Sequence, residues 1–117
     1  MHTARLVTLL AASITLAVGS AVAGTGTDTI SGFIPGDPNG TAIFVFSTTT
    51  TVPGSPVCNS TQRFAISSTN PTYKDTVAAV LEAHATGTPV NAVGLGTCTV
   101  LGNAEDLNYL CVGAIPC

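Results

Sequence analysis

Asn70-Pro71-Thr72-Tyr73-Lys74-Asp75-Thr76-Val77-Ala78-Ala79-Val80-Leu81-Glu82-Ala83-His84-Ala85-Thr86-Gly87-Thr88-Pro89 reads as one helix with both ends marked. Asn70 suits a cap and Pro71 the first helical position. Gly87 followed by Pro89 stops the chain. Tyr73, Val77, Val80, Leu81 and His84 recur at helical spacing and form one stripe. The spacing predicts a helix over 71–85, about 22 Å long at the usual rise. Lys74, Asp75 and Glu82 fall outside the stripe and are expected to face water.

Upstream of the helix, Arg63-Phe64-Ala65-Ile66-Ser67 reads as a short strand with Phe64 and Ile66 on one face. Downstream, Val90 to Leu95 and Leu107 to Val112 read as two more, joined by a turn-rich connection over Leu101 to Asp106. Gly94 and Gly96 mark a bend or bulge. Nearer the start, Thr27 to Ile34 alternates as a strand, and Ala42 to Phe46 forms another. The dense turn chemistry of Pro35 to Gly40 makes these two a hairpin with a longer loop. Ala42, Phe44 and Phe46 point one way and Ile43 and Val45 the other, so this strand is apolar on both faces. Its second face needs a cover: the helix, a loop or another subunit. Thr48 to Val57, with Pro53, Gly54 and Pro56, is an extended connector.

The order is three strands, one helix, two strands. It implies a mainly β (α+β) fold: a small five-stranded Greek-key barrel of the oligonucleotide/oligosaccharide-binding (OB) type, with one α-helix between the third and fourth strands. The helix would plug one end of the barrel and bury its stripe.

Met1 to Ala23 reads as a secretory signal peptide. Arg5 supplies the cationic start, Leu6 to Val18 the apolar run, and Ala21-Val22-Ala23 the small-residue exit. Residues 24–117 then form a single exported domain, periplasmic or secreted. Without the leader, Arg63 and Lys74 stand against six acids, a net charge of −4. Two isolated cations cannot track phosphates, which excludes nucleic-acid binding. No long apolar run follows the leader, so no transmembrane segment is expected.

All four cysteines lie beyond the leader, where disulfides persist. Four cysteines allow three pairings. Position favours Cys58 with Cys98, which would staple the segment holding the helix, and then Cys111 with Cys117. The chain-entropy model gives about 4 kcal/mol for the long loop and about 2.4 for the short one. A metal site is disfavoured by the wide cysteine spacing and by the single histidine, His84, beyond the leader. No cofactor is implied.

No catalytic residue is assigned, and the chain is expected not to be an enzyme. His84 ends the apolar stripe, where packing or capping accounts for it as well as base chemistry. Glu105-Asp106 is the one adjacent acid pair, but neighbours in an extended segment point apart, and a solvated turn is expected. Gly-x-Ser-x-Gly, phosphate-loop and His-Glu-x-x-His motifs are absent. Two sequons occur, Asn39-Gly40-Thr41 and Asn59-Ser60-Thr61.

The unit from Cys58 through Arg63-Phe64-Ala65-Ile66 and Val77 to Val90, closing at Cys98, resembles the toxin B-subunit-like secreted proteins of Gram-negative bacteria. That family includes the binding subunit of subtilase cytotoxin. The shared features are a helix ending in a Thr-Gly turn, a following strand begun by Val90, and flanking cysteines. They cover roughly residues 58–112. The resemblance implies an exported barrel that assembles into a ring, commonly of five copies, and binds glycans on host cells. It transfers no sugar-binding residue, and the chain has no tryptophan. The leading expectation is therefore an oligomeric, disulfide-stabilised, glycan-binding module. The alternative is a monomeric periplasmic or cell-surface structural or protein-interaction domain without glycan binding.

Overall fold

The computed structural model describes residues 22–46 and 52–117. Residues 1–21, most of the expected leader, and 47–51, which include the threonines at 48–51, lie outside the described residues. The fold is mainly β, with six strands and one helix. They run β1 (Thr25–Asp28), β2 (Ile30–Ile34), β3 (Thr41–Phe46), β4 (Arg63–Ser67), α1 (Tyr73–Thr86), β5 (Val90–Gly94) and β6 (Glu105–Val112). The strands make one curled sheet in the order β1-β5-β6-β4-β3-β2. All neighbours are antiparallel except β4 and β6, which pair in parallel at Phe64↔Glu105 and Ala65↔Asp106.

The segment expected as a first strand over 27–34 is two strands. β1 pairs with β5 and β2 with β3, and only Thr29 separates them. The two ends of the strand order are thus consecutive in the chain. Asp28 marks the break, its Oδ1 accepting from the Thr29 amide at 2.7 Å.

The β2–β3 hairpin turns on Asp37, whose Oδ1 accepts from the amides of Asn39 and Thr41 at 3.0 and 2.8 Å. These short polar side-chain bonds hold a turn that the prolines on either side only begin. Within β5 and β6 the register shifts between Val93 and Gly94. That shift sits where a strand glycine leaves room for a neighbouring group.

The helix starts two residues later than expected. Thr72 occupies the cap position without a side-chain cap bond. Asn70 instead closes the preceding turn, its Oδ1 accepting from the Thr72 amide and hydroxyl, both at 2.9 Å. At the far end Gly87 adopts φ +66° and donates to the carbonyl of Ala83, a left-handed stop natural to glycine. Val80 and Ala83 are buried, and Val77 and Tyr73 are half-buried against the core. Leu81, placed in the buried stripe by its spacing, is 50 % exposed. The inward line passes through Val80 and Ala83, the two buried residues of the helix. α1 packs against β2 and β6.

The core joins Ile30, Ala42, Phe44, Val52, Phe64, Ile66, Val80, Ala83, Val90, Ala92 and Leu107. Phe44 and Phe64 stack at 5.8 Å between ring centroids. Each such side chain contributes about 1.5–3 kcal/mol before chain entropy is subtracted. Val52, in the stretch expected as a connector, is a core residue, and its amide donates to Gln62 Oε1 at 2.6 Å.

Candidate functional site

A shallow groove of about 180 Å³ lies on β2, β3 and β4, lined by Gly32, Phe33, Ile34, Ile43, Phe44, Val45 and Arg63. The strand alternation builds it. Ala42 and Phe44 enter the core, while Ile43 and Val45 turn to the opposite face. Val45 pairs with Arg63 on β4 and with Gly32 on β2, and Ile43 pairs with Ile34. Gly32 has nothing within reach of a side-chain position, which leaves the groove open above β2. Ile43 is buried, Val45 half-buried and Ile34 44 % exposed, so cover fades toward the β2 edge.

Arg63 is the one cation of this groove. Its Nε is buried and has no hydrogen-bond partner. A guanidinium carries five donors in a fixed fork. A buried N–H without an acceptor is costly, and it suits an incoming oxygen. The groove is smaller than the roughly 300–1,000 Å³ of small-molecule pockets. A second, smaller space of about 10 Å³ beneath α1 is lined by Phe33, Phe44, Ile66, Val77 and Val80 and is a packing gap.

His84 stands away from any catalytic partner set. Its Nδ1 lies 2.7 Å from the carbonyl oxygen of Ile30, and its ring meets Phe33 edge-on at 5.6 Å. The imidazole ties the end of α1 to β2.

Glu105 and Asp106 are not a solvated turn. They open β6, at 0 % and 4 % exposure. The charged pair reads as surface in the sequence, but both carboxyls are buried, Asp106 with donors on both oxygens and Glu105 with donors on Oε1 alone. Thr97 and Thr99 hydroxyls reach Asp106 Oδ2 at 2.6 and 2.7 Å. The Thr99 amide reaches both oxygens at 2.9 Å, and the Val100 amide reaches Oδ1 at 2.9 Å. Burial by itself raises the Asp106 carboxyl. The bonds from Thr97, Val100 and Thr99 outweigh burial and hold it below the ordinary carboxylate value. Asp106 therefore organises the 97–100 loop. The Thr-x-Thr spacing ahead of an acid is the signal that the sequence reading passed over.

Cys98 lies in that loop and is bridged to Cys58, with Cα atoms 6.1 Å apart and a separation of 40 residues. Cys111 is bridged to Cys117, with Cα atoms 6.0 Å apart. Both bridges are of the kind that persists in an oxidising compartment. Among the described residues, no group of three or more His, Cys, Asp or Glu side chains is placed to hold a metal ion. No described helix is long and apolar enough to cross a membrane.

The two sequons differ in access. Asn39 is exposed on the hairpin loop. Asn59 is 1 % exposed; its Nδ2 donates to Ser55 Oγ at 2.8 Å and its Oδ1 accepts from the Arg63 amide at 3.0 Å. In the folded protein Asn59 is a structural residue that sets Arg63 at the head of β4. No protein-family model, no curated protein and no solved structure matches the chain.

Proposed function

We propose that this chain is an exported, non-enzymatic binding module that takes a glycan on the β2–β3–β4 face beside Arg63. The observation that carries the reading is the apolar groove with a buried guanidinium nitrogen lacking an acceptor. Apolar walls match the C–H face of a sugar ring. Arg63 matches an acceptor oxygen on it, and a carboxylate-bearing sugar makes the strongest pair.

The architecture supports this reading. We read β1 and β2 as one strand bent at Thr29, whose continuity would join the two ends of the curled sheet. On that reading the five strands would take the OB plan, which the place of α1 after β4 and the parallel contact between β4 and β6 support. In that plan the second and third strands, here β3 and β4, supply the ligand face. The groove lies there.

The module is proposed to work as a homo-oligomer, with the five-membered ring that the toxin B-subunit resemblance implies. Leu81, half exposed on α1 where spacing called for burial, supports a helix-to-helix subunit contact. The leader and the two bridges support a secreted or periplasmic address.

The test is a glycan array probed with the wild type and with Arg63→Ala, alongside native mass spectrometry. The wild type is expected to assemble and to retain a subset of glycans. Arg63→Ala is expected to lose them with its melting temperature within a few degrees of wild type. A monomer that ignores every glycan would refute the proposal and leave the monomeric protein-interaction alternative.

A further inference from the structure

Gly24 is buried, and its backbone nitrogen donates to Oε1 of Glu105 at 2.8 Å. Glu105 Oε1 also accepts from the Gly96 amide at 2.9 Å, while Oε2 is buried with no hydrogen-bond partner. Glycines enclose the carboxyl. A methyl group added at Gly24 would overlap Oε2, and one added at Gly94 would overlap Oε1. The chain thus keeps two side chains out of the way of one fully buried acid. A buried acid oxygen without a donor calls for a missing partner.

Gly24 is also the residue that follows Ala21-Val22-Ala23, the small-residue exit of the leader. Hydrolysis of the Ala23–Gly24 peptide bond takes up one water. Ala23 leaves with the new carboxylate, and the Gly24 nitrogen becomes an amine that takes a proton at neutral pH. We infer that the cut end is an internal ion pair, the Gly24 α-ammonium seated on the buried Glu105 carboxylate. The inference rests on the exported reading above.

Cleavage turns one N–H on a fixed nitrogen into three and adds the positive charge that the uncut chain lacks there. The nitrogen is already held in place. The Gly24 carbonyl accepts from the Gly94 amide at 2.8 Å, and the Thr25 amide donates to the Pro53 carbonyl at 3.0 Å. Bonds between charged partners are roughly twice as strong as neutral ones. Removal of the leader therefore completes the junction between β1, β5 and β6. A cut one residue earlier or later moves the charge off the carboxylate.

The chain beyond the leader has two amines, the Gly24 α-amine and Lys74, which is exposed on α1. An exposed α-amine has an ordinary pKa of about 7.7–8.0 against about 10.4 for lysine, so at pH 7 it takes formaldehyde and cyanoborohydride first. The exported protein is purified, its intact mass fixes the first residue, and the folded protein is labelled. The expected result is a chain beginning at Gly24 in which Lys74 labels at least tenfold faster than the α-amine. Denaturant should restore the ordinary order, and Glu105→Gln should restore it without denaturant. Should that variant fail to fold, the native and denatured rates of the wild type decide alone. A chain beginning elsewhere overturns the inference together with the leader assignment. A chain beginning at Gly24 whose α-amine labels first in the folded state overturns the ion pair alone.

Discussion

Replacing Asp106 with asparagine isolates the charge that holds the 97–100 loop. Asparagine keeps the acceptor at Oδ1 for the Thr99 and Val100 amides. At the Oδ2 position it presents an NH2 group toward the Thr97 and Thr99 hydroxyls and the Thr99 amide. The two hydroxyls can turn and accept. The amide cannot; it keeps Oδ1 but now meets the new NH2 group, a donor left facing a donor. Bonds to an ionised acceptor contribute about 1.5–3 kcal/mol each, and an unmatched buried donor costs about 1–3 kcal/mol. Most of the contacts survive in neutral form, so the net loss at pH 7 is about 2–3 kcal/mol. That is a large share of the 5–15 kcal/mol typical of a domain. The sign with pH follows from the lowered carboxyl. Unfolded, the group titrates near about 3.9. Its contribution is therefore complete above that value and is lost as pH falls through the lower folded value. Urea unfolding of wild type and Asp106→Asn, bridges intact, should show the gap at pH 7 and its narrowing as pH falls below the ordinary carboxylate range and through the lower folded value. A variant as stable as wild type at pH 7, or a gap unchanged at the acid end, would refute the assignment.

Three further outcomes are expected. Val80→Asp places a charge at a 3 % exposed core position and should abolish folding or secretion, read as the loss of soluble exported protein. Leu81→Ser should leave monomer unfolding within about 0.5 kcal/mol of wild type, as exposed substitutions usually do, while native mass spectrometry shows the ring dispersed. The double variant Cys58→Ser, Cys98→Ser should lose about 4 kcal/mol in urea unfolding, and Cys111→Ser, Cys117→Ser about 2.4, as bridges across sequence separations of 40 and 6 require.

The helix, both faces of β3 and the short β4 were legible in the sequence because local pattern and tertiary burial agree there. Gly87 and Pro89 stop the helix, and Phe64 and Ile66 face inward. Three features were not. Leu81 obeys the helical period, yet the helix approaches the sheet along Val80 and Ala83, an angle set by tertiary packing. The break at Thr29 depends on which partner strand each half of 25–34 finds, information spread over β3 and β5. Glu105 and Asp106 look like surface because charge is usually solvated. Their burial depends on donors at Gly24, Gly96, Thr97, Thr99 and Val100 that only the fold assembles. For the site, Arg63 and the apolar outer face of β3 were visible as residues. Their meeting across the β3–β4 register was not.

Binding of a sugar on the β2–β3–β4 face is tested most directly by mapping amide chemical shifts while a glycan retained on the array is titrated into the isotope-labelled protein. The account predicts shifts concentrated at Gly32, Ile34, Ile43, Val45 and Arg63, saturating together. Saturable shifts confined to the 52–62 and 95–103 loops, with those five amides unmoved, would contradict it.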